Sequence, residues 1–235
     1  FDPRAPMSEA MRTTRVSLQL SGSGPHAKSF LITSTKPGEG KTTMAANLAL
    51  TFAGSGEKVV IVDADMRKPR IHKIFSNNAF NNAPGLSSFL AGVTKKGVIC
   101  RNGVENLHFI PAGPIPPNPV ELLASKRFEK LMRYLEKRFD RVIVDAPPHQ
   151  GFADVLVLAQ SVGGVVLATG MGEAKRDELR HFKKSMLNVR ATILGCIINK
   201  VDTSQRYGYQ SYYRYYSYAE GPAAAGARKL PERSA

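Results

Sequence analysis

Apolar residues in this chain gather into short unbroken runs separated by helical stretches and polar turns. Ser29-Phe-Leu-Ile-Thr-Ser34, Lys58-Val-Val-Ile-Val-Asp63, Arg141-Val-Ile-Val-Asp145, Gly163-Gly-Val-Val-Leu-Ala168 and Thr192–Ile198 are continuous rather than alternating. That is the pattern of parallel strands covered on both faces. Asn106-Leu-His-Phe-Ile-Pro111 reads as a further strand. Between them, Met44-Ala-Ala-Asn-Leu-Ala-Leu50 predicts a buried helix, and Phe128, Leu131, Met132 and Leu135 mark the inner side of an amphipathic one. Glu173–Asn188 predicts a helix with Leu179, Phe182 and Met186 on one side and Lys175, Arg176, Arg180, Lys183 and Lys184 on the other. Such a basic face is either solvated surface or a face for acidic lipid. Shorter helices are expected over Met7–Leu20, Ile71–Phe75 and Pro84–Gly92, with a rigid loop over Ala112–Pro119. The alternation of strand and helix predicts the α/β class: a mostly parallel, twisted sheet with helices on both faces. Three segments follow: a linker and helix over 1–27, the α/β domain over 28–203, and a tail over 204–235.

At 235 residues, 43% of them hydrophobic, the chain can bury one full core. Its two cysteines, Cys100 and Cys196, form neither a disulfide framework nor a metal-binding pair, which suits a reducing compartment. No stretch approaches the roughly 18 uninterrupted apolar residues of a membrane span, and no signal peptide opens the chain, so a soluble domain is expected. The net charge of +14 favours polyanions in general and selects none of nucleotide, nucleic acid or acidic lipid.

The chemistry begins where the first strand ends. Thr35-Lys-Pro37-Gly38-Glu39-Gly40-Lys41-Thr42-Thr43 joins a strand to the buried helix, the arrangement of a P-loop nucleotide site. Gly38 and Gly40 let backbone N–H groups converge on phosphate oxygens at a helix N-terminus that already favours anions. Lys41 can reach the β- and γ-phosphates, and the Thr42 hydroxyl can sit on Mg²⁺. Thr35 stands where the generic pattern opens with glycine. Asp63 and Asp65, at i and i+2 on leaving the second strand, are expected to point the same way, toward the phosphate loop. Asp145, ending an apolar strand, is placed to hold Mg²⁺ directly or through water. Pro148 argues against a GTPase switch, which places a glycine N–H at that point. Asn199-Lys-Val-Asp202 resembles a guanine-reading box, but the rest of the GTPase pattern is missing. Asn199 at a strand's carboxyl edge could instead bond an adenine amino group. His149 could approach the γ-phosphate or be a plain loop histidine. Glu9, Arg12 and Arg15, spaced by three, share one broad helix face, and on spacing alone a surface ion pair accounts for them.

The tail is unusual in composition. Tyr207, Tyr209, Tyr212, Tyr213, Tyr215, Tyr216 and Tyr218 are seven of the chain's eight tyrosines; the remaining one is Tyr134. With no Leu, Ile, Val or Met among residues 206–218 the segment has no aliphatic face to bury and is expected to be flexible and exposed. It could stack on single-stranded nucleic acid with Arg206 and Arg214, form a low-complexity adhesive, or supply phosphate acceptors. In a parallel sheet the last strand delivers it at the edge that carries the phosphate loop, Asp63 and Asp145. The span from Lys200 to Tyr207 extends roughly 23 Å at most, within reach of a γ-phosphate.

Together these residues resemble the bacterial tyrosine kinases, the kinase domains fused to or partnered with membrane polysaccharide co-polymerases. The resemblance runs over nearly the whole chain through Pro37–Thr43, Val62-Asp-Ala-Asp-Met-Arg-Lys-Pro69, Gly113–Leu123, Val144-Asp-Ala-Pro-Pro148 and the tyrosine tail. It implies a P-loop NTPase fold and ATP-dependent autophosphorylation of the tail, mainly between protomers, with ATP/ADP and Mg²⁺ bound at the site. Lys41 and Thr42 match Walker A, Asp63 and Asp65 the Walker A′ element, and Asp145 Walker B. Pro37, Gly38, Glu39, Gly40 and Thr43 complete the nucleotide contacts; Thr42, Asp65 and Asp145 would hold the metal, and Asp63 would take the phenol proton. Glu9-x-x-Arg12-x-x-Arg15 looks like the family's oligomerisation motif, which implies a homo-oligomeric ring, an octamer in the family. Also implied are a co-polymerase partner tethering a cytoplasmic domain to the inner membrane, a tyrosine phosphatase that resets the tail, and control of exopolysaccharide or capsule export. Nucleic acid is not an expected partner. A second reading rests on Lys36, five residues before Lys41, where partition and division-site ATPases place a lysine that crosses a dimer to the other subunit's nucleotide. It implies a dimerising ATPase switch on DNA or membrane.

Overall fold

Among the described residues seven strands form one sheet, and the side chains on each strand divide between two cores. In the computed structural model, residues 6–21, 28–75, 84–94 and 97–201 are described. Phe1–Asn199 make one compact unit and Lys200–Ala235 another, of which only Lys200 and Val201 are among the described residues. The strands are β1 (Ser29–Ser34), β2 (Val59–Asp63), β3 (Cys100–Arg101), β4 (Leu107–Ile110), β5 (Arg141–Asp145), β6 (Gly164–Gly170) and β7 (Ile193–Asn199). They lie in the order β3-β4-β2-β5-β1-β6-β7, all parallel except β3, which runs antiparallel to β4.

Alternate residues of each strand point to opposite faces. Phe30 and Ile32 of β1 go to one core with Val59, Ile61 and Ile143, under α1 (Pro6–Ser21) and α2 (Lys41–Gly54). Leu31 goes to the other with Val60, Val62, Val142 and Val144. Five helices cover that second face: α4 (Leu86–Leu90), α5 (Pro119–Leu123), α6 (Lys126–Arg138), α7 (Asp154–Ala159) and α8 (Arg176–Asn188). The short α3 (Ile71–Phe75) adds Ile71 to the first core. The α2 helix is apolar all round because α1 lies over its outer side, burying Met11 and Leu18 against it.

Three elements depart from the sequence expectation. The loop expected over 112–119 runs into α5, whose first residue is Pro119, a position where proline's missing N–H costs nothing. Helix α7 and the two-residue edge strand β3 were not anticipated. The basic helix starts at Arg176, after Lys175, whose backbone N–H donates to Glu178 at 2.9 Å. Among the described residues no helix is long and apolar enough to cross a membrane, and both cysteines are free.

Candidate active site

Because β1, β2, β5, β6 and β7 are parallel, their carboxyl ends share one edge, which is where such sheets take ligands. The turn after β1 is shaped by two glycines in the left-handed region, Gly38 at φ 89° and Gly40 at φ 92°. A Cβ on Gly40 would stand 2.1 Å from Asn199 Nδ2, so this position admits glycine on both conformational and steric grounds. Helix α2 begins at Lys41, so the N–H groups of Lys41, Thr42 and Thr43 have no intrahelical carbonyl and face outward as an anion cradle.

The side chain of Glu39 is buried under the loop. It accepts from the Thr35 hydroxyl (2.8 Å), the Lys36 N–H (2.7 Å) and the Thr169 hydroxyl on β6 (2.7 Å), while its carbonyl accepts from Asn199 Nδ2 at 3.1 Å. Thr35 thus has a structural purpose in place of the usual glycine: its hydroxyl pins the loop's central carboxylate. What Glu39 can offer a phosphate is its backbone N–H.

Beside the loop lies a buried acidic cluster. Asp63 and Asp145 are register partners on β2 and β5, so their side chains leave the sheet on the same face. Lys41 Nζ donates to Asp65 Oδ2 at 2.8 Å and Asp145 Oδ1 at 3.5 Å, and lies 3.1 Å from the Thr42 hydroxyl. Burial disfavours the Lys41 ammonium, but Asp145 and Asp65 outweigh it and hold its pKa above the usual lysine value. Burial pushes Asp145 up to about 6 against the pull of Lys41. Asp63, wholly enclosed, is raised well above the carboxylate range by burial and then by the charge of Asp145. When ionised it is the most basic carboxylate of the cluster. Its Oδ2 accepts from the N–H groups of Arg70 and Ile71 at 3.0 and 2.9 Å, fastening the start of α3. Asp65 Oδ1 accepts from Lys68 N–H at 3.0 Å.

The donor set fits a magnesium ion. Thr42, Asp65 and Asp145 offer oxygen only, and Mg²⁺ takes one or two carboxylates and completes its shell with water and phosphate. Asp145 Oδ2 and Asp63 Oδ1 are buried without a hydrogen-bond partner, as suits oxygens that face a metal-bound water. Among the described residues no three His, Cys, Asp or Glu side chains form a ligand group by themselves, so the phosphates would have to share in holding the ion.

Arg67 makes a fork with Asp154 at the start of α7, Nε to Oδ2 at 2.7 Å and Nη2 to Oδ1 at 3.2 Å, and lies 4.4 Å over the Phe152 ring. Neither Asp154 nor Thr169 was singled out from the sequence; both pair across more than eighty residues, where no local spacing signals them. Lys36 pairs with Glu178 of its own chain at 2.7 Å. On α1, Arg12 bonds Glu9 at 2.7 Å, and Arg15 reaches Gln19 at 2.9 Å, which in turn donates to Glu57 at 2.6 Å. Tyr207–Tyr218 lie outside the described residues.

Residues 27–170, more than half of the chain, match the family model described as AAA domain. The tyrosine-protein kinase YwqD of Bacillus subtilis (strain 168) is 36% identical over 211 residues, covering 88% of this chain and 88% of that protein. The chain belongs to the bacterial tyrosine kinases. Two solved structures agree with that family and with its P-loop fold. The chimerical protein CapA2B2 superposes with a TM-score of 0.80 at 36% identity, covering 86% of this chain and 88% of that one. The kinase domain of the Escherichia coli tyrosine kinase ETK gives 0.76 at 32%, covering 86% and 80%. In this bacterial tyrosine kinase, then, Lys41, Thr42, Asp65 and Asp145 meet within one cluster, while Asn199 and Glu39 brace the loop that faces it.

Proposed function

We propose that the chain is an ATP-dependent tyrosine autokinase that phosphorylates its own tyrosine cluster, Tyr207–Tyr218, mainly between protomers. One observation carries the reading. Asn199, the last residue of β7, bonds the phosphate loop at 3.1 Å, and Tyr207 follows it by eight residues. The acceptors are therefore tethered to the rim that would hold ATP. Lys41 and the N–H groups of residues 38–43 take the β- and γ-phosphates, and the Asn199 side chain lies beside them, its Oδ1 the acceptor an adenine amino group would use. Thr42, Asp65 and Asp145, the groups that Lys41 touches in the folded chain, would hold Mg²⁺, which would supply neutralisation of charge on the triphosphate. The phenol, of ordinary pKa about 10, gives its proton to the carboxylate cluster, where Asp63 is the strongest acceptor. Family membership supports the wider setting: a ring of copies, a co-polymerase segment at the inner membrane, a phosphatase that resets the tail, and control of capsule or exopolysaccharide export. Lys36, the residue behind the dimerising-ATPase reading, is engaged with Glu178 and would have to leave it to reach another subunit.

Incubation of the purified protein with Mg-ATP is expected to add several phosphates that mass spectrometry maps to residues 207–218. A preparation that binds ATP yet gains none there refutes the autokinase. The Glu9–Arg12–Arg15 face is expected to form the ring contact, since its charges are about half exposed at Glu9 and Arg12. Arg12→Ala with Arg15→Ala should lower the assembly mass in light scattering; an unchanged mass would leave those charges as an intrahelical pair.

A further inference from the structure

A cavity of about 260 Å³ opens beside the phosphate loop, lined by Thr35, His149, Gln150, Asp177, Glu178 and His181. Three segments meet around it: the first residue of the loop, the turn after β5 and the first turns of α8. The turn is fastened to the loop by His149 N–H to Ser34 O at 2.7 Å and Gln150 N–H to Thr35 O at 3.3 Å. Lys36 ties the same loop to α8 through Glu178 at 2.7 Å. The cavity is thus held in place against the loop from both sides.

Its floor is Thr35 and His149, 3% and 7% exposed, while Gln150, Asp177 and His181 form an open rim. The His149 ring meets Phe182 edge-on at 5.4 Å and lies 5.6 Å from the His181 ring. Neither of its ring nitrogens has a hydrogen-bond partner. A neutral imidazole carries one donor and one acceptor, and leaving both unmade in the interior is costly. Packing against Phe182 explains the ring's faces and leaves its nitrogens unexplained. Burial, with His181 alongside, keeps His149 neutral by lowering its pKa, so one nitrogen remains an acceptor.

Size and charge narrow the occupant. A cavity of roughly 150 Å³ admits benzene, so this one has room for a single substituted ring, and it falls short of the roughly 300 Å³ at which larger ligand sites begin. Asp177 and Glu178 stand at the rim, and the cations nearest them, Arg180 at 3.2 Å and Lys36 at 2.7 Å, are engaged with those carboxylates and do not line the cavity, so an anion would have to compete with them for a partner. An uncharged ring with a hydroxyl that both donates and accepts answers each feature. Resting on the tyrosine-kinase reading above, we propose that this cavity binds the phenol of the acceptor tyrosine, with the ring N–H of His149 donating to its hydroxyl oxygen and the phenol hydrogen left for the carboxylate cluster. Once phosphorylated, the side chain carries negative charge beside Asp177 and Glu178 and no longer fits, which clears the cavity for the next acceptor.

Two measurements test this on the full chain. In the first, N-acetyl-tyrosinamide is titrated while the histidine ring signals are followed by NMR. The His149 and His181 signals should shift, at least threefold more than with N-acetyl-phenylalaninamide. No shift, or an equal shift with the phenylalanine analogue, overturns the proposal. In the second, a synthetic peptide of residues 205–219 is the acceptor. His149→Leu should raise its KM about tenfold, the loss of one hydrogen bond, and the exposed-site variant His181→Ala about threefold, with the KM for ATP unchanged in both. Unchanged peptide KM in both variants overturns the cavity and leaves the kinase standing. A protein that binds the tyrosine probe but transfers phosphate to no tyrosine sinks the kinase and keeps the phenol site.

Discussion

Replacing Lys41 by methionine is expected to abolish phosphorylation of the chain by itself, a loss on the order of a thousandfold or more. The methionine keeps most of the stem length and removes the ammonium. In the folded chain that ammonium sits 2.8 Å from Asp65, 3.5 Å from Asp145 and 3.1 Å from the Thr42 hydroxyl, so two contributions vanish together. The phosphoryl group in transit loses a positive charge held ready in a buried site, where it is worth far more than in water. The carboxylates lose the cation that opposes their burial, and Asp145, already raised to about 6, takes up a proton still more readily. The variant should nonetheless fold, because a carboxyl that protonates does not remain as a bare buried charge; a circular-dichroism melt checks this. The decisive comparison mixes the Lys41→Met chain with an active chain whose seven tail tyrosines are phenylalanine. Label on the methionine variant establishes transfer between chains. A mixture with no label, from a partner that phosphorylates peptide, would mean that each chain modifies only its own tail.

How much of this could be read from residues alone depends on how local each signal is. Strands β1, β2, β5 and β6 announce themselves as unbroken apolar runs because both faces are covered, one by α1 to α3 and the other by α4 to α8. Phe128, Leu131, Met132 and Leu135 return every three or four residues, and all four are buried in α6. By contrast α5 and α7 are five and six residues long, too short for a helical period to repeat, and unlike the equally short α3 they adjoin proline- and glycine-rich loops that read as irregular. The two residues of β3 carry no pattern, and only their pairing with β4 makes them a strand.

The site divides in the same way. Lys41 and Thr42 follow β1 by one short loop, and Asp63, Asp65 and Asp145 end or follow two other strands, so the parallel order brings them to one edge. What spacing could not reveal is which atoms they meet there. The Glu39 side chain, numbered among the phosphate-loop residues, turns inward to Thr35 and Thr169. Asn199, expected near adenine, has its amide nitrogen on the loop carbonyl. Lys36 matches the position of a dimer-crossing lysine, yet it finds a carboxylate 142 residues onward in its own chain. In each case a partner distant in sequence decides the contact, and no local count of residues contains it.

Arg67 is the clearest long-range partner, and Arg67→Ala is expected to lower stability by about 2–3 kcal/mol in urea denaturation. Loss of one member of a buried ion pair costs roughly 3–5 kcal/mol, and the figure is reduced here because about a third of the Arg67 side chain meets solvent. Asp154 is the reason the cost stays large. Only 1% exposed, it opens α7 and receives two bonds from one guanidinium, and with Arg67 gone its charge loses both of them. Arg67→Lys should recover less than half of the loss, since an ammonium cannot make the fork or stack on Phe152. Adding Asp154→Asn to Arg67→Ala removes the stranded charge and should restore most of the stability, a coupling that a double-mutant cycle measures directly. Function should follow in part, because Arg67 lies two residues past Asp65, whose Oδ1 holds the Lys68 N–H while Oδ2 holds Lys41. Freed from Asp154, that turn no longer fixes Asp65, and the KM for Mg-ATP should rise even at a temperature where the variant is folded. Equal stability of Arg67→Ala and the parent chain, within about 0.5 kcal/mol, would mean that Asp154 finds another partner and that Arg67 does not anchor the acidic turn.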